Sequence, residues 1–177
     1  LSRVDLVFLG NPNNPTGSCL HAEELSPLVE VCARHKTVLA IDEVFMDFAE
    51  TCDEDSFLSA APKNKYLLVL KSLTKFFALP GLRLGYAVGH RDLVRRISDL
   101  QYPWNINSLA QAAGKEALKD RNYMSYSREH VAREREFLSG GLKDIKGLKA
   151  FSPSSNFILC KLDGCAVKSA KVLNEKL

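Results

Sequence analysis

The chain has no C-x-x-C pair, and its five cysteines, Cys19, Cys32, Cys52, Cys160 and Cys165, are odd in number and widely spaced. That pattern argues against a zinc site, a redox pair or a disulfide framework, and no metal site is expected. Scattered thiols fit a reducing compartment, so a cytoplasmic location is expected. No apolar run reaches the length of a membrane span, and no signal peptide is visible. The net charge is only +3, and the 24 basic and 21 acidic residues are mixed along the chain. With no basic block interleaved with aromatics, a nucleic-acid partner is not expected. Neither G-x-G-x-x-G nor G-x-x-x-x-G-K-[ST] occurs, which removes the usual signals of a nucleotide-binding α/β domain. The first residue is Leu1, not Met, and an apolar run follows almost at once; the last residues, from Ser169 to Leu177, have a helical pattern. The chain therefore reads as a piece of something longer.

What is present is an ordinary globular composition, with 46% hydrophobic and 25% charged residues over 177 positions. That length suits one domain, or one domain and part of a second. Apolar runs at Val4–Leu9, Thr37–Ile41, Tyr66–Leu70 and Leu82–Val88 predict strands. Their apolar character on both faces predicts strands covered on both sides, as in an α/β sheet. Leu25, Leu28, Val29 and Cys32 share one helical face, and Ser26-Pro27 supplies a plausible cap and first residue for that helix. After Val88 the pattern turns helical over Asp92–Leu100, Ser108–Leu118 and Tyr123–Leu138. The charge run in the last of these reads as a solvated face. Gly140-Gly141 and Gly147 punctuate the next stretch, Asn156–Leu162 predicts a strand, and Ala166 onward a helix. The expected division is 1–125 for a large α/β domain and 126–177 for the long connecting helix and the start of a smaller α+β domain.

Polar residues collect at the ends of the predicted strands, where open α/β sheets bind ligands. Asn11-Pro12-Asn13-Asn14-Pro15-Thr16-Gly17 is a stiff turn that can hold a side-chain amide in place, although an ordinary turn has the same composition. Asp42 ends a buried strand, as a helix cap or a functional acid; Glu43 and Asp47 are less well placed and read as exposed. In Ser72-Leu73-Thr74-Lys75-Phe76-Phe77 a lysine stands among apolar residues. Burial near other cations would free its amine for Schiff-base chemistry, whereas most lysines simply reach into solvent. Arg83, framed by Gly81 and Gly85, suits bidentate phosphate binding or is a charge at a strand edge.

In order and separation these four elements resemble the class I/II aminotransferases, pyridoxal-phosphate (PLP) enzymes of fold type I. The matching residues are Asn14-Pro15-Thr16-Gly17, Asp42-Glu43-Val44-Phe45, Ser72-Leu73-Thr74-Lys75 and Arg83. The resemblance covers essentially the whole chain. It implies a mixed, mostly parallel sheet with helices on both faces, from the PLP-binding large domain, plus the start of the small domain. It implies that Lys75 carries PLP as a Schiff base and moves protons. Asp42 would pair with the pyridine nitrogen, and Asn14 would bond the ring 3-oxygen beside the substrate. Ser72, Thr74 and Arg83 would hold the cofactor phosphate.

Within that group the loop and Gly81-Leu82-Arg83-Leu84-Gly85-Tyr86 look like the histidinol-phosphate aminotransferase branch, which includes the threonine-phosphate decarboxylases of cobalamin synthesis. Phe45, where the aminotransferases usually carry Tyr, and Pro103-Trp104-Asn105-Ile106-Asn107 lean to the decarboxylase. The implied activity is decarboxylation of O-phospho-L-threonine, with histidinol-phosphate transamination or a truncated, non-catalytic PLP-fold fragment as alternatives. The substrate would be a small phosphorylated amino acid or amine, and the assembly a homodimer. The resemblance places the grips on substrate carboxylate and phosphate outside residues 1–177, so the isolated chain is expected to be weakly active or inactive.

Overall fold

The computed structural model describes residues 4–163. The helix expected from Ala166 and the thiol of Cys165 lie outside the described residues. Among the described residues the main sheet has four strands in chain order: β1 (Leu6–Gly10), β2 (Val38–Asp42), β3 (Leu67–Ser72) and β4 (Gly85–Gly89). The first three are parallel, with Leu6 opposite Val38 and Leu39 opposite Leu67; β4 runs antiparallel to β3, with Ser72 opposite Gly85. This is a mixed, mostly parallel α/β sheet. A parallel pair needs a crossover, and α1 (Ala22–Arg34) supplies the one between β1 and β2. The crossover from β2 to β3 is built from short pieces: 3₁₀ turns at Met46–Phe48, Phe57–Ser59 and Ala61–Lys63, and α2 (Cys52–Asp55).

One face of the sheet carries the core. Leu39 and Ile41 of β2 and Leu67 and Val69 of β3 pack with Leu25 and Cys32 of α1 and with Phe57 and Ala61. Each such aliphatic side chain contributes about 1.5–3 kcal/mol by leaving water. On the other face Leu6 and Phe8 remain 47% and 68% exposed. Coverage of both faces was expected, and among the described residues it is incomplete along β1.

The first helix begins earlier than Ser26-Pro27 suggests. Its N-cap is His21, the His21 N–H donates to the Glu24 carboxylate at 2.8 Å, and the Ala22 N–H donates to Asp55 at 3.0 Å. A carboxylate 33 positions away does the capping, which local sequence cannot reveal. Pro27 therefore lies inside the helix.

Beyond β4 come α3 (Arg91–Ser98), α4 (Ser108–Ala117) and α5 (Arg121–Lys143). Gly140 and Gly141 do not interrupt α5 but ride its open side, where an added Cβ meets nothing within 4 Å. The strand expected over Asn156–Leu162 shrinks to β6 (Cys160–Leu162), paired antiparallel with β5 (Leu148–Ala150). Residues 151–159 form no strand, and Arg135 claims the Ser155 carbonyl that a ladder would use.

Candidate active site

Register brings the sequence motifs to one edge of the sheet. Gly10 stands opposite Asp42, Asp42 opposite Leu70, and Ser72 opposite Gly85. The carboxyl ends of β1, β2 and β3 and the amino end of β4 thus share an edge. Asn14, Asp42, Ser72, Thr74, Lys75 and Arg83 all stand in or beside it.

The loop after β1 is tied by its own polar groups. Asn11 is buried; its Nδ2 donates to the Leu20 carbonyl at 2.9 Å and its Oδ1 accepts from the Leu20 N–H at 2.8 Å. Asn13 accepts from Thr16 Oγ1 at 2.9 Å. Gly17 has φ +72°, a conformation costly for residues with a Cβ, and its carbonyl accepts from the Ser154 N–H at 2.7 Å. Asn14, at the loop's tip, is exposed, and its side chain makes no hydrogen bond among the described residues. The sequence reading singled out Asn14 but missed Asn11, the residue that closes the loop. Its signal was weak, since a buried and an exposed asparagine look alike in sequence.

Asp42 is exposed but its backbone is clamped on both sides. Its carbonyl accepts from the Asn11 N–H at 2.9 Å, and the following N–H, of Glu43, donates to the Leu70 carbonyl at 2.9 Å. One carboxylate oxygen accepts from the Val44 N–H at 3.0 Å, which aims the group.

After β3 the chain turns over a hydrophobic cluster of Leu73, Phe76, Phe77 and Phe48. Tyr123 stacks on Phe77 with ring centroids 6.1 Å apart, and its hydroxyl donates to the Phe76 carbonyl at 3.1 Å. The Leu73 N–H donates to the Leu84 carbonyl, and the Ala78 N–H to that of Lys75, each at 3.1 Å. Lys75 is thus the outward residue of a turn anchored on both flanks. It is exposed, so of the two settings its sequence left open the solvent-reaching one is found. The Ser72 and Thr74 hydroxyls lie 2.8 Å apart. Arg83 is exposed at φ +51° and donates to the Pro80 carbonyl at 3.1 Å. A non-glycine residue in that region is strained, and such strain clusters at ligand sites.

The expectation that Glu43 and Asp47 are exposed is overturned for Glu43, which is completely buried. Alternation along β2 points it away from Asp42, onto the core face. Asp47 is intermediate, and its carboxylate reaches Lys71 at 3.3 Å. Phe45 is half-buried, its ring edge-on to Phe157 at 5.0 Å. Trp104 is 96% exposed, and Asn107 from the same stretch caps α4 by accepting from the Ala110 N–H at 2.8 Å.

Among the described residues neither Lys75 nor Arg83 is in an ion pair, and Asp42 has no cationic partner. The edge therefore offers an aimed carboxylate, a free amine, two hydroxyls and a guanidinium. That donor set fits the pyridine nitrogen, carbonyl and phosphate of PLP. No group of three or more His, Cys, Asp or Glu residues suited to a metal occurs among the described residues.

Fold and edge define an α/β domain with a candidate ligand site at its strand ends. The family model for class I and II aminotransferases matches residues 1–176, and the chain belongs to that family. A Caldanaerobacter subterraneus protein provisionally named a threonine-phosphate decarboxylase is 36% identical over 171 residues, which is 97% of this chain and 47% of that protein. The histidinol-phosphate aminotransferase structure from Clostridium acetobutylicum superposes with TM-score 0.89 at 33% identity, over 98% of this chain and 53% of that one. The L-threonine-O-3-phosphate decarboxylase structure from Porphyromonas gingivalis gives TM-score 0.80 at 25% identity, over 91% and 48%. The chain spans about half the length of the relatives it matches.

Proposed function

We propose that this chain supplies the lysine-bearing part of a PLP-dependent enzyme that decarboxylates O-phospho-L-threonine. The observation that carries the PLP reading is the single sheet edge at which Lys75, Asp42, Asn14, Ser72, Thr74 and Arg83 stand, with the charges of Lys75, Asp42 and Arg83 in no ion pair among the described residues. PLP, when bound, provides an electron sink for the bond broken at the substrate α-carbon. Lys75 would hold the cofactor through its Nζ, and its amine would carry a proton to or from the substrate α-carbon. The Asp42 carboxylate, aimed by the Val44 N–H, keeps a proton on the pyridine nitrogen. The Asn14 amide donates to the ring 3-oxygen and borders the substrate. The Ser72 and Thr74 hydroxyls and the Arg83 guanidinium take the phosphate through charge-assisted bonds.

Decarboxylation is favoured by the likeness to the Caldanaerobacter protein and by Phe45, whose ring packs on Phe157 and has no hydroxyl to offer the cofactor. Transamination of histidinol phosphate is the second reading, favoured by the Clostridium acetobutylicum structure. In either case the substrate is a small phosphorylated amino acid or amine. The working form is proposed to be a cytoplasmic homodimer; the free thiols of Cys19, Cys32, Cys52 and Cys160 support the compartment.

The test uses the full-length protein with PLP. A cofactor-dependent visible absorbance band is expected, lost in Lys75→Ala together with activity by at least about 10²–10⁴-fold. Carbon dioxide released from O-phosphothreonine with no ketoacid present supports decarboxylation. Turnover of histidinol phosphate only with 2-oxoglutarate supports transamination, and no band at all defeats both.

A further inference from the structure

Directly behind the ligand edge lies a buried ion pair that the chemistry above does not use. Glu43 comes directly after Asp42, the last residue of β2, and Lys71 precedes Ser72 on β3. Side chains alternate along a strand. Glu43 and Lys71 therefore share the core face, while Asp42 and Ser72 share the opposite one. Lys71 Nζ lies 3.3 Å from the Glu43 carboxylate, and the two side chains are 4% and 0% exposed. The remaining valences of Glu43 are filled: Oε2 accepts from Ser56 Oγ at 2.5 Å and Oε1 from the Phe57 N–H at 2.7 Å. Asp47 gives Lys71 a second carboxylate at 3.3 Å. Tyr86, opposite Lys71 on β4, completes the row; burial and the charges of Asp47 and Glu43 push its phenol up to about 12.

We infer that the Glu43–Lys71 pair is a positioning device that sets Asp42 against Ser72 and, through it, the Lys75 turn. This inference rests on the PLP reading and adds two residues to it. The last ladder bond recorded between β2 and β3 is the one from the Glu43 N–H to the Leu70 carbonyl. Beyond it the pair, with Asp47 as a second carboxylate on Lys71, ties the two segments that carry the acid and the lysine. A buried ion pair is a poor source of stability, because desolvation offsets its attraction, and an apolar pair of similar volume is often as stable. What an apolar pair lacks is direction. The carboxylate fixed at three points and the ammonium fixed at two allow one relative setting of the strand ends. With both carboxylates on it, Lys71 has no charge to spare for an external anion.

Lys71→Met alone leaves Glu43 buried and unpaired and is expected to compromise folding, so the decisive variant is Glu43→Gln with Lys71→Met in the full-length protein. Its melting temperature is expected within about 4 °C of wild type. Its PLP dissociation constant is expected to rise about tenfold, with a shifted visible maximum. Lys71→Arg, which keeps the charge, should restore both. Hydrogen exchange in the cofactor-free protein gives an independent readout: the Glu43 and Val44 amides should exchange faster in the double variant. A stable double variant with wild-type exchange at those amides and wild-type PLP affinity would overturn the inference. If wild type itself shows no PLP band, the functional reading falls, and the exchange result still decides whether the pair holds Asp42 in place.

Discussion

Asp55 gathers three donors from two elements. It accepts from Thr51 Oγ1, from the Ala22 N–H at 3.0 Å and from His21 Nδ1 at 3.0 Å. Burial pushes its carboxyl up, but these hydrogen bonds outweigh burial and hold it below its ordinary 3.8. His21 moves the other way: its hydrogen bond to Asp55, and then the Asp55 charge, raise it above 6.5. A lowered acid contributes stability above its unfolded value and loses it as pH falls through the folded one. A raised histidine contributes fully below its unfolded value and loses that as pH rises through the folded one. The clasp is therefore strongest between about pH 4 and pH 6.5. The Asp55→Asn variant should melt below wild type at pH 5–6, and the gap should narrow below about pH 3. A gap that stays constant with pH would show that packing, not charge, holds this corner. At this scale what was legible is the placement of Lys75, Asp42 and Arg83 beside strand ends, since each adjoins an apolar run. A role that depends on a distant partner was not legible, as with Asp55 capping α1, Asn11 closing its loop or Glu43 turning inward.

The ends of elements decide whether the site forms. A Cβ on Gly85 would sit 2.7 Å from the Lys71 carbonyl, so the close approach of β4 to β3 requires glycine there. Gly85→Ala should cost about 1–3 kcal/mol by forcing the strands apart, and it should weaken PLP binding because Ser72 and Arg83 flank the contact. Gly140→Ala is the contrasting change: its helical site is open, and removing glycine's unfolded-state freedom should stabilise by about 0.5–1 kcal/mol. Chemical denaturation of both variants, alongside PLP titration of the first, checks the pair of expectations. A neutral Gly85→Ala would mean that the strand can shift without harm. Apolar runs placed the strands β1 to β4 to within a few residues. They missed the ends because backbone bonds to other segments, such as Asn11 to Asp42, set where a strand stops. Gly140-Gly141 misled for a related reason: a long helix with supporting contacts absorbs glycines that would end an isolated one.

Across the whole molecule, Arg135 joins segments that local pattern treats as separate. From α5 it donates to the Phe48 carbonyl at 3.2 Å, the Ser155 carbonyl at 3.4 Å and the Glu50 carboxylate at 2.6 Å. Its side chain is only 10% exposed. Beside it, Phe157 meets Phe45, three residues beyond Asp42. The proposed division at residue 125 falls in the first turns of α5, so this helix would serve both units, with Arg135 as their polar tie. Arg135→Met keeps most of the volume and removes the donors, and it should destabilise by about 2–3 kcal/mol. Arg135→Lys should rescue little, because a point charge cannot span acceptors that a planar fork reaches together. If the tie is local to the junction, hydrogen exchange in Arg135→Met should quicken over residues 148–162 while 38–42 and 67–72 keep their protection. Equal quickening everywhere would mean that the chain unfolds as one cooperative unit, with no division at 125. A faster 148–162 segment, accompanied by altered PLP affinity, would mean that the Phe157–Phe45 contact carries the state of the second unit to the Asp42 end of the sheet.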